Sequence, residues 1–240
     1  MIDRYEDLTI EKYLMLKDID KEGDDIDMIV EAISILSDFT EDEVLNLPLS
    51  QFNKLSSKLK FISEEPKLIK KLPDNINING KMYSIVKDAS KMTAGQYIDY
   101  KSYAKDFDSI NKNLALIMTT VIVPQGKKYG EGYDTVELSE EFKRHLNIVL
   151  ALSISNFFFI QFQNYSNNIL IYLEVMLRKM RRKEKDKEMR MKMTEAITQN
   201  RLLRDSLKNG FGLTMQSELE KYMDAYLNTF SNLELLSSLT

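Results

Sequence analysis

Cysteine is absent from the 240 residues, and histidine occurs once, as His145. Without thiols the chain has no disulfide, no thiolate nucleophile and no cysteine metal site, which fits synthesis in a reducing cytoplasm. A single histidine removes paired-histidine metal sites and most histidine-based acid–base designs. Glycine (8) and proline (4) are scarce, so little punctuates the chain and long helices are expected. The start, Met1-Ile2-Asp3-Arg4, leads directly into acidic residues and shows no signal-peptide pattern.

What is present is the balance of a folded protein, 43% hydrophobic and 29% charged residues. A chain of 240 residues can bury one sizeable core or two small ones. The net charge of -4 is unevenly spread: residues 1–50 hold 15 Asp/Glu against 4 Lys/Arg, whereas residues 178–192 hold 9 Lys/Arg against 3 Asp/Glu. Such a layout steers complementary surfaces together, copies of one chain included, and salt weakens the effect.

Along the chain, Thr9 caps an expected helix over 10–20, broken by the run at 21–25. Ile26, Ile29, Val30, Ile33 and Leu36 form an apolar stripe at helical spacing. Thr40 with Glu43 is a capping box, and a helix over 49–63 should turn Leu49, Phe52, Leu55 and Leu59 inward. The strongest β signal is Asn75–Ile78, the Asn79-Gly80 turn and Lys81–Val86, a hairpin that must pack on helices. Thr93 with Gln96 opens a helix over 94–105 with Tyr97, Tyr100 and Ala104 on one side. A further helix is expected over 109–123. The stretch 146–173 contains no charged residue; its expected form is a buried helix, a break near 165–168 and a second helix running on to about 207. A last helix is expected over 214–237, striped by Leu219, Tyr222, Met223, Tyr226, Leu227 and Phe230.

Several features invite a chemical reading. The stretch 146–173 is long enough to span a bilayer, but Asn147, Asn156, Gln161, Gln163 and Asn164 argue for burial inside protein, with Phe157, Phe158 and Phe159 as contact candidates at the centre of an oligomer. Arg178, Arg181, Arg182, Lys183, Lys185, Lys187 and Arg190 form a basic cluster suited to an acidic protein partner. Glu184, Asp186 and Glu188 interrupt it and no aromatic residue is interleaved, so specific reading of nucleic acid is not expected. The plain alternative is a solvated face with i,i+4 pairs. Methionines 176, 180, 189, 191 and 193 suit either an adaptable contact surface or core filling. The loop Gly126–Gly132 lacks the spacing of a phosphate-binding loop, and the paired acids lack that of a calcium loop. No catalytic, cofactor-binding or metal-ligating residue is assigned, His145 included, and no cofactor is expected.

Three segments carry a resemblance: Asn77-Ile78-Asn79-Gly80-Lys81-Met82-Tyr83, Met92-Thr93-Ala94-Gly95-Gln96-Tyr97-Ile98-Asp99-Tyr100 and Val123-Pro124-Gln125-Gly126-Lys127-Lys128-Tyr129. In order and spacing the chain resembles, over residues 5–175, particle-morphogenesis proteins of crAss-like tailed bacteriophages and other phages of Bacteroidota. The resemblance implies a protein made in the bacterial host cytoplasm and acting in the virion, as a tail or portal-proximal structural or cargo component. Its implied partners are other copies of itself and other phage structural proteins. The alternatives are a tail assembly chaperone absent from the virion and an ejected protein that inserts 146–173 into a membrane. The segments are structural signatures, and no functional residue is carried over with them.

The expected fold is therefore mainly α, with one small β-hairpin and long C-terminal helices. Three regions are expected: an acidic helical part over 1–66, a central α+β part over 67–138 with the hairpin at 75–86, and a long-helix part over 139–240.

Overall fold

A computed structural model describes residues 1–19, 24–104, 110 and 112–208. The fold is mainly helical, with a small three-stranded antiparallel sheet and long C-terminal helices. The expected helix over 214–237 and the glycine break before it lie outside the described residues.

Two compact units divide the chain, one built from Met1–Tyr103 with Asp108–Phe157 and the other from Ala104–Phe107 with Phe158–Thr240. Both boundaries expected from sequence, at 66/67 and 138/139, fall inside the first unit. The physical reason is a backbone tie. Thr9 and Asn147 form an antiparallel bridge, with Ile10 N–H donating to the Leu146 carbonyl at 3.1 Å and Ile148 N–H to the Leu8 carbonyl at 2.8 Å. The Asn147 amide also donates to the Glu6 carbonyl. Leu8, Ile10, Leu146 and Ile148 are all buried, so these backbone groups have no water to bond instead.

Local sequence starts most helices of the first unit. Thr9 caps α1 (Ile10–Asp18) by accepting from Lys12 N–H, and Asp24 caps α2 (Asp25–Leu36) by accepting from Ile26 N–H. The capping box of Thr40 and Glu43 opens α3 (Glu41–Leu45), and α4 (Leu49–Lys58) follows Pro48. Val30, Ile33 and Val44 form one core cluster, against which Phe52, Leu55 and Leu59 pack. Two expected inward residues point outward instead: Ile26 is 59% exposed and Leu49 is 74% exposed. Each stands in the first turn of its helix, ahead of the residues that reach the cluster.

The expected hairpin is present as β1 (Asn75–Ile78) and β2 (Lys81–Ile85). Asn79 at φ 48° and Gly80 at φ 79° take the two left-handed positions of a type I′ turn, which matches strand twist. Ile76, Ile78, Tyr83 and Ile85 form its buried face. A third strand, β3 (Ile122–Pro124), pairs antiparallel with β2, Tyr83 opposite Pro124 and Ile85 opposite Ile122. Sequence periodicity places these residues at the end of a helix, because an uninterrupted apolar run reads the same in either form. The helix in question, α6 (Leu114–Val121), ends one residue earlier and is buried along almost its whole length. Its Thr119 and Thr120 hydroxyls stay satisfied by donating to the Leu116 and Ile117 carbonyls, each at 2.7 Å.

The second capping box also forms, opening α5 (Ala94–Tyr103): Thr93 N–H donates to Gln96 Oε1 at 2.9 Å, and Gln96 N–H to Thr93 Oγ1 at 3.2 Å. Gln96 is buried and spends its amide on the Thr120 carbonyl. The inward face of α5 is therefore Gln96 and Tyr100, one turn apart, while Tyr97 lies partly exposed beside it. Asp134 caps α7 (Thr135–His145) by accepting from Val136 and Glu137 N–H. From α7, Phe142 reaches the sheet and meets Tyr83 edge to face at 5.3 Å.

The expected break near 165–168 is not present. A single helix, α8, runs Ile148–Lys183, and the chain turns at residues 184–186 before α9 (Lys187–Lys208). Tyr165-Ser166-Asn167-Asn168 contains no Gly or Pro, and polar residues alone do not stop a helix whose neighbouring turns are packed. Among the described residues no helix is long and apolar enough to cross a membrane, because amides are scattered through the uncharged stretch. Phe142→Ala removes a fully buried ring and should lower the unfolding free energy by about 3–5 kcal/mol. Leu49→Ser should change it by less than about 0.5 kcal/mol. Urea titration followed by circular dichroism measures both.

Candidate functional site

In the second unit, residues 158–183 of α8 and α9 form an antiparallel hairpin. Its seam carries Leu170, Leu173 and Leu177 from α8, spaced three and four residues apart, facing Met193 and Ile197 from α9. Such spacing keeps one narrow stripe turned to a partner helix. Met180, Met189 and Ala196 complete the seam at the turn end, so those two methionines serve as core filling. Phe158 is fully buried and lies 6.2 Å from the Phe162 ring; of the three expected contact phenylalanines it belongs to the interior. Phe157 and Phe159 are half-buried.

Two polar residues sit in the apolar seam, and they organise the site. Glu174 is buried, 9% exposed in its side chain. Its Oε1 accepts from Arg178 Nη2 at 2.6 Å and Nε at 3.0 Å and from Arg201 Nε at 3.0 Å, while Oε2 accepts from Arg204 Nη1 at 3.0 Å. Arg204 Nε also donates to Asn167 Oδ1 at 3.3 Å. Burial favours the neutral acid, but the hydrogen bonds and charges of Arg178 and Arg201 outweigh it and hold the carboxyl below its usual range. One carboxylate among three guanidiniums leaves a surplus of two positive charges. Asn200, also buried, donates to the Leu170 carbonyl at 2.9 Å, and its own carbonyl oxygen has no partner.

The basic segment lies at the turn. Arg178 is committed to Glu174, and Arg181 donates to Thr194 Oγ1 at 3.3 Å across the hairpin. Arg182, Lys183, Lys185, Lys187 and Arg190 are exposed and have no ion pair among the described residues. The acids between them are occupied by the turn itself. Glu184 Oε1 accepts from the Lys185 and Asp186 N–H groups, and Asp186 Oδ1 accepts from Met189 N–H. Of the three interrupting acids, Glu188 makes an expected i,i+4 pair, with Lys192 at 2.8 Å, beside the Glu174–Arg178 pair of the same spacing. The result is a cationic tip whose side chains are exposed. Arg182 and Lys183 also sit in the last turn of α8, where the helix dipole favours cations.

Sequence reasoning identifies the tip but misses its anchor. Glu174 is the first charged residue after the uncharged stretch and stands four residues before Arg178, which is a local signal. The roles of Arg201 and Arg204 depend on hairpin register and have no such signal.

The first unit holds two further polar clusters. Tyr83 donates to Glu141 Oε2 at 3.2 Å beside Lys81 at 3.0 Å. Burial, then the Glu141 charge, pushes the Tyr83 hydroxyl up to about 12. Tyr129 donates to Asp99 Oδ2 at 2.7 Å, and burial with that bond raises its pKa. Three segments singled out in the sequence meet in this unit through strand pairing and the Tyr129–Asp99 bond. Lys81–Tyr83 lies in β2, Val123-Pro124 in the strand paired to it, and Tyr129 closes onto Asp99 of α5. Among the described residues no group of three or more His, Asp or Glu side chains is placed to hold a metal ion. No family model, curated protein or solved structure matches the chain.

Glu174→Ala should destabilise the hairpin by about 1–3 kcal/mol, since it removes charge-assisted hydrogen bonds, while Arg178 and Arg201, 41% and 55% exposed in their side chains, can turn to water instead. The pH dependence follows from the depressed carboxyl. Its stabilising effect is complete above the unfolded-chain value of about 4.3 and fades as pH falls through the lower folded value. Wild type should therefore exceed Glu174→Gln in thermal stability at pH 7, and the gap should close in acid below about pH 4. A gap independent of pH would show that the carboxylate charge is not what holds the hairpin.

Proposed function

We propose that this chain is a non-enzymatic component of a bacteriophage virion, a tail or portal-proximal structural or cargo protein that acts through multiple protein–protein contacts. The observation that carries the reading is the cationic tip, the turn end of a hairpin whose helices are tied by the Glu174 network, with five exposed basic side chains. Exposed charge on a helical hairpin is a contact device. It speeds and orients encounter with an acidic surface. The phage assignment rests on the resemblance over residues 5–175, and the meeting of its three segments around one small sheet supports reading them as a single structural signature.

The partners in this reading are further copies of the chain and other structural proteins of the particle. Replacing Arg182, Lys183, Lys185 and Lys187 with alanine should weaken assembly more at 50 mM than at 500 mM salt, on the order of tenfold at the lower concentration, because exposed charges act through a medium that salt screens. Quantitative mass spectrometry of purified particles tests the larger statement. Many copies per particle are expected. A protein abundant in infected cells but missing from particles would instead be an assembly chaperone, and the component reading would fall.

A further inference from the structure

The tip continues into a second feature. On the outer side of α8, Ile171, Tyr172 and Val175 are exposed, Tyr172 at 62%, and the same face runs on through Lys179 and Arg182, also exposed. Positions 172, 175, 179 and 182 follow one another at helical spacing, so an apolar patch passes directly into a basic one. A surface of complementary composition lies in the first unit. Val30 and Val44 share one core cluster, and the exposed neighbours of that cluster are Ile26, one turn before Val30, and Leu45, adjacent to Val44 and 62% exposed. Exposed acids lie on the same two helices and beside them: Asp24, Asp25 and Asp27 flank Ile26 in the chain, Glu41 and Asp42 precede Leu45 on α3, and Asp38 stands in the turn between the helices.

We propose that these two surfaces dock on each other between copies, the apolar–basic face of α8 in one chain seating on the apolar–acidic end of α2 and α3 in the next. The proposal rests on the reading above, that the chain works through contacts among its own copies, and it names the two faces. Charge selects the occupant: the segment holding 15 acids against 4 bases is the match within this sequence for a helix face that ends in exposed Lys179 and Arg182. Because the two faces differ, the contact is heterologous. Repeating it adds copies head to tail and yields a closed ring or an open filament according to the rotation at each step.

Sedimentation velocity on the full-length chain over a range of concentrations tests this. Wild type should associate, and more strongly at low salt. Lys179→Glu with Arg182→Glu spoils one face, and Asp38→Asn with Asp42→Asn spoils the other, a choice that gives the two spoiled faces no new attraction for each other. Each double variant alone should associate at least tenfold more weakly. Mixed together they retain one intact face apiece, so they should form a 1:1 heterodimer that grows no further. Tyr172→Ser with Val175→Ser should weaken association while leaving its salt dependence unchanged. All these positions are exposed, and circular dichroism checks that the helices persist.

A wild-type reading comes from carbodiimide cross-linking of mixed ¹⁴N and ¹⁵N chains, where mixed-isotope links from Lys179 to acids of residues 24–42 are expected. A monomeric wild type, a mixture that stays monomeric, or links confined to one isotope would each overturn the docking. Presence in particles is a separate readout. A chain abundant in particles but monomeric in solution defeats head-to-tail docking and leaves the component reading standing. A chain that docks as described but is missing from particles does the reverse.

Discussion

The first unit depends on closing a loop of more than a hundred residues, and two backbone hydrogen bonds hold that closure. The pairing of Leu8 and Ile10 with Leu146 and Ile148 brings together chain segments that no local preference would join. Four buried side chains supply the apolar surface that offsets the entropy of closure. Everything between is then confined. The sheet finds Phe142 above it, α6 lies buried between α5 and α7, and the acidic helices become part of the same body as the start of α8. One strand-like contact ties the acidic helices to the start of α8.

The second unit solves a different problem. A seam of leucines and methionines is tolerant, and two helices joined by a short turn can slide along each other with little loss of apolar contact. Glu174 and Asn200 remove that freedom. Shifting α9 by one turn would leave a buried carboxylate without Arg201 and Arg204, and a buried amide without the Leu170 carbonyl. Polar groups in an apolar seam add little net stability relative to well-packed hydrophobic residues, but they discriminate sharply between registers. Register in turn decides which basic side chains end at the tip.

Much of this was legible in the residues. Both capping boxes, the Asn79-Gly80 hairpin, the apolar stripe of α2 and the long C-terminal helices follow from local chemistry, and local chemistry is present in sequence. The misses share a cause. β3 exists because β2 offers an edge to pair with, α8 continues through four polar residues because packing on either side sustains it, and Ile26 and Leu49 stay outside because the core cluster lies beyond their reach. Each depends on a partner distant in the chain. The candidate site divides the same way: the cationic cluster shows in composition, whereas the Glu174 anchor needs the hairpin to be assembled first. The outer face of Tyr172 and Val175 was hidden by hydrophobicity itself, since an apolar run does not reveal which of its sides is covered.

The Thr9–Asn147 bridge also fixes an order of events during synthesis. The acidic helices leave the ribosome before residues 146–148, so the Ile10 N–H and the Leu8 carbonyl lack these partners until the chain has been extended past Ile148. Until then the nascent protein carries an unfinished edge, with the excess negative charge of residues 1–50 keeping neighbouring nascent chains apart. The basic tip is made after Ile148, so complementary charge reaches solution only after the first unit has the residues of its closing bridge.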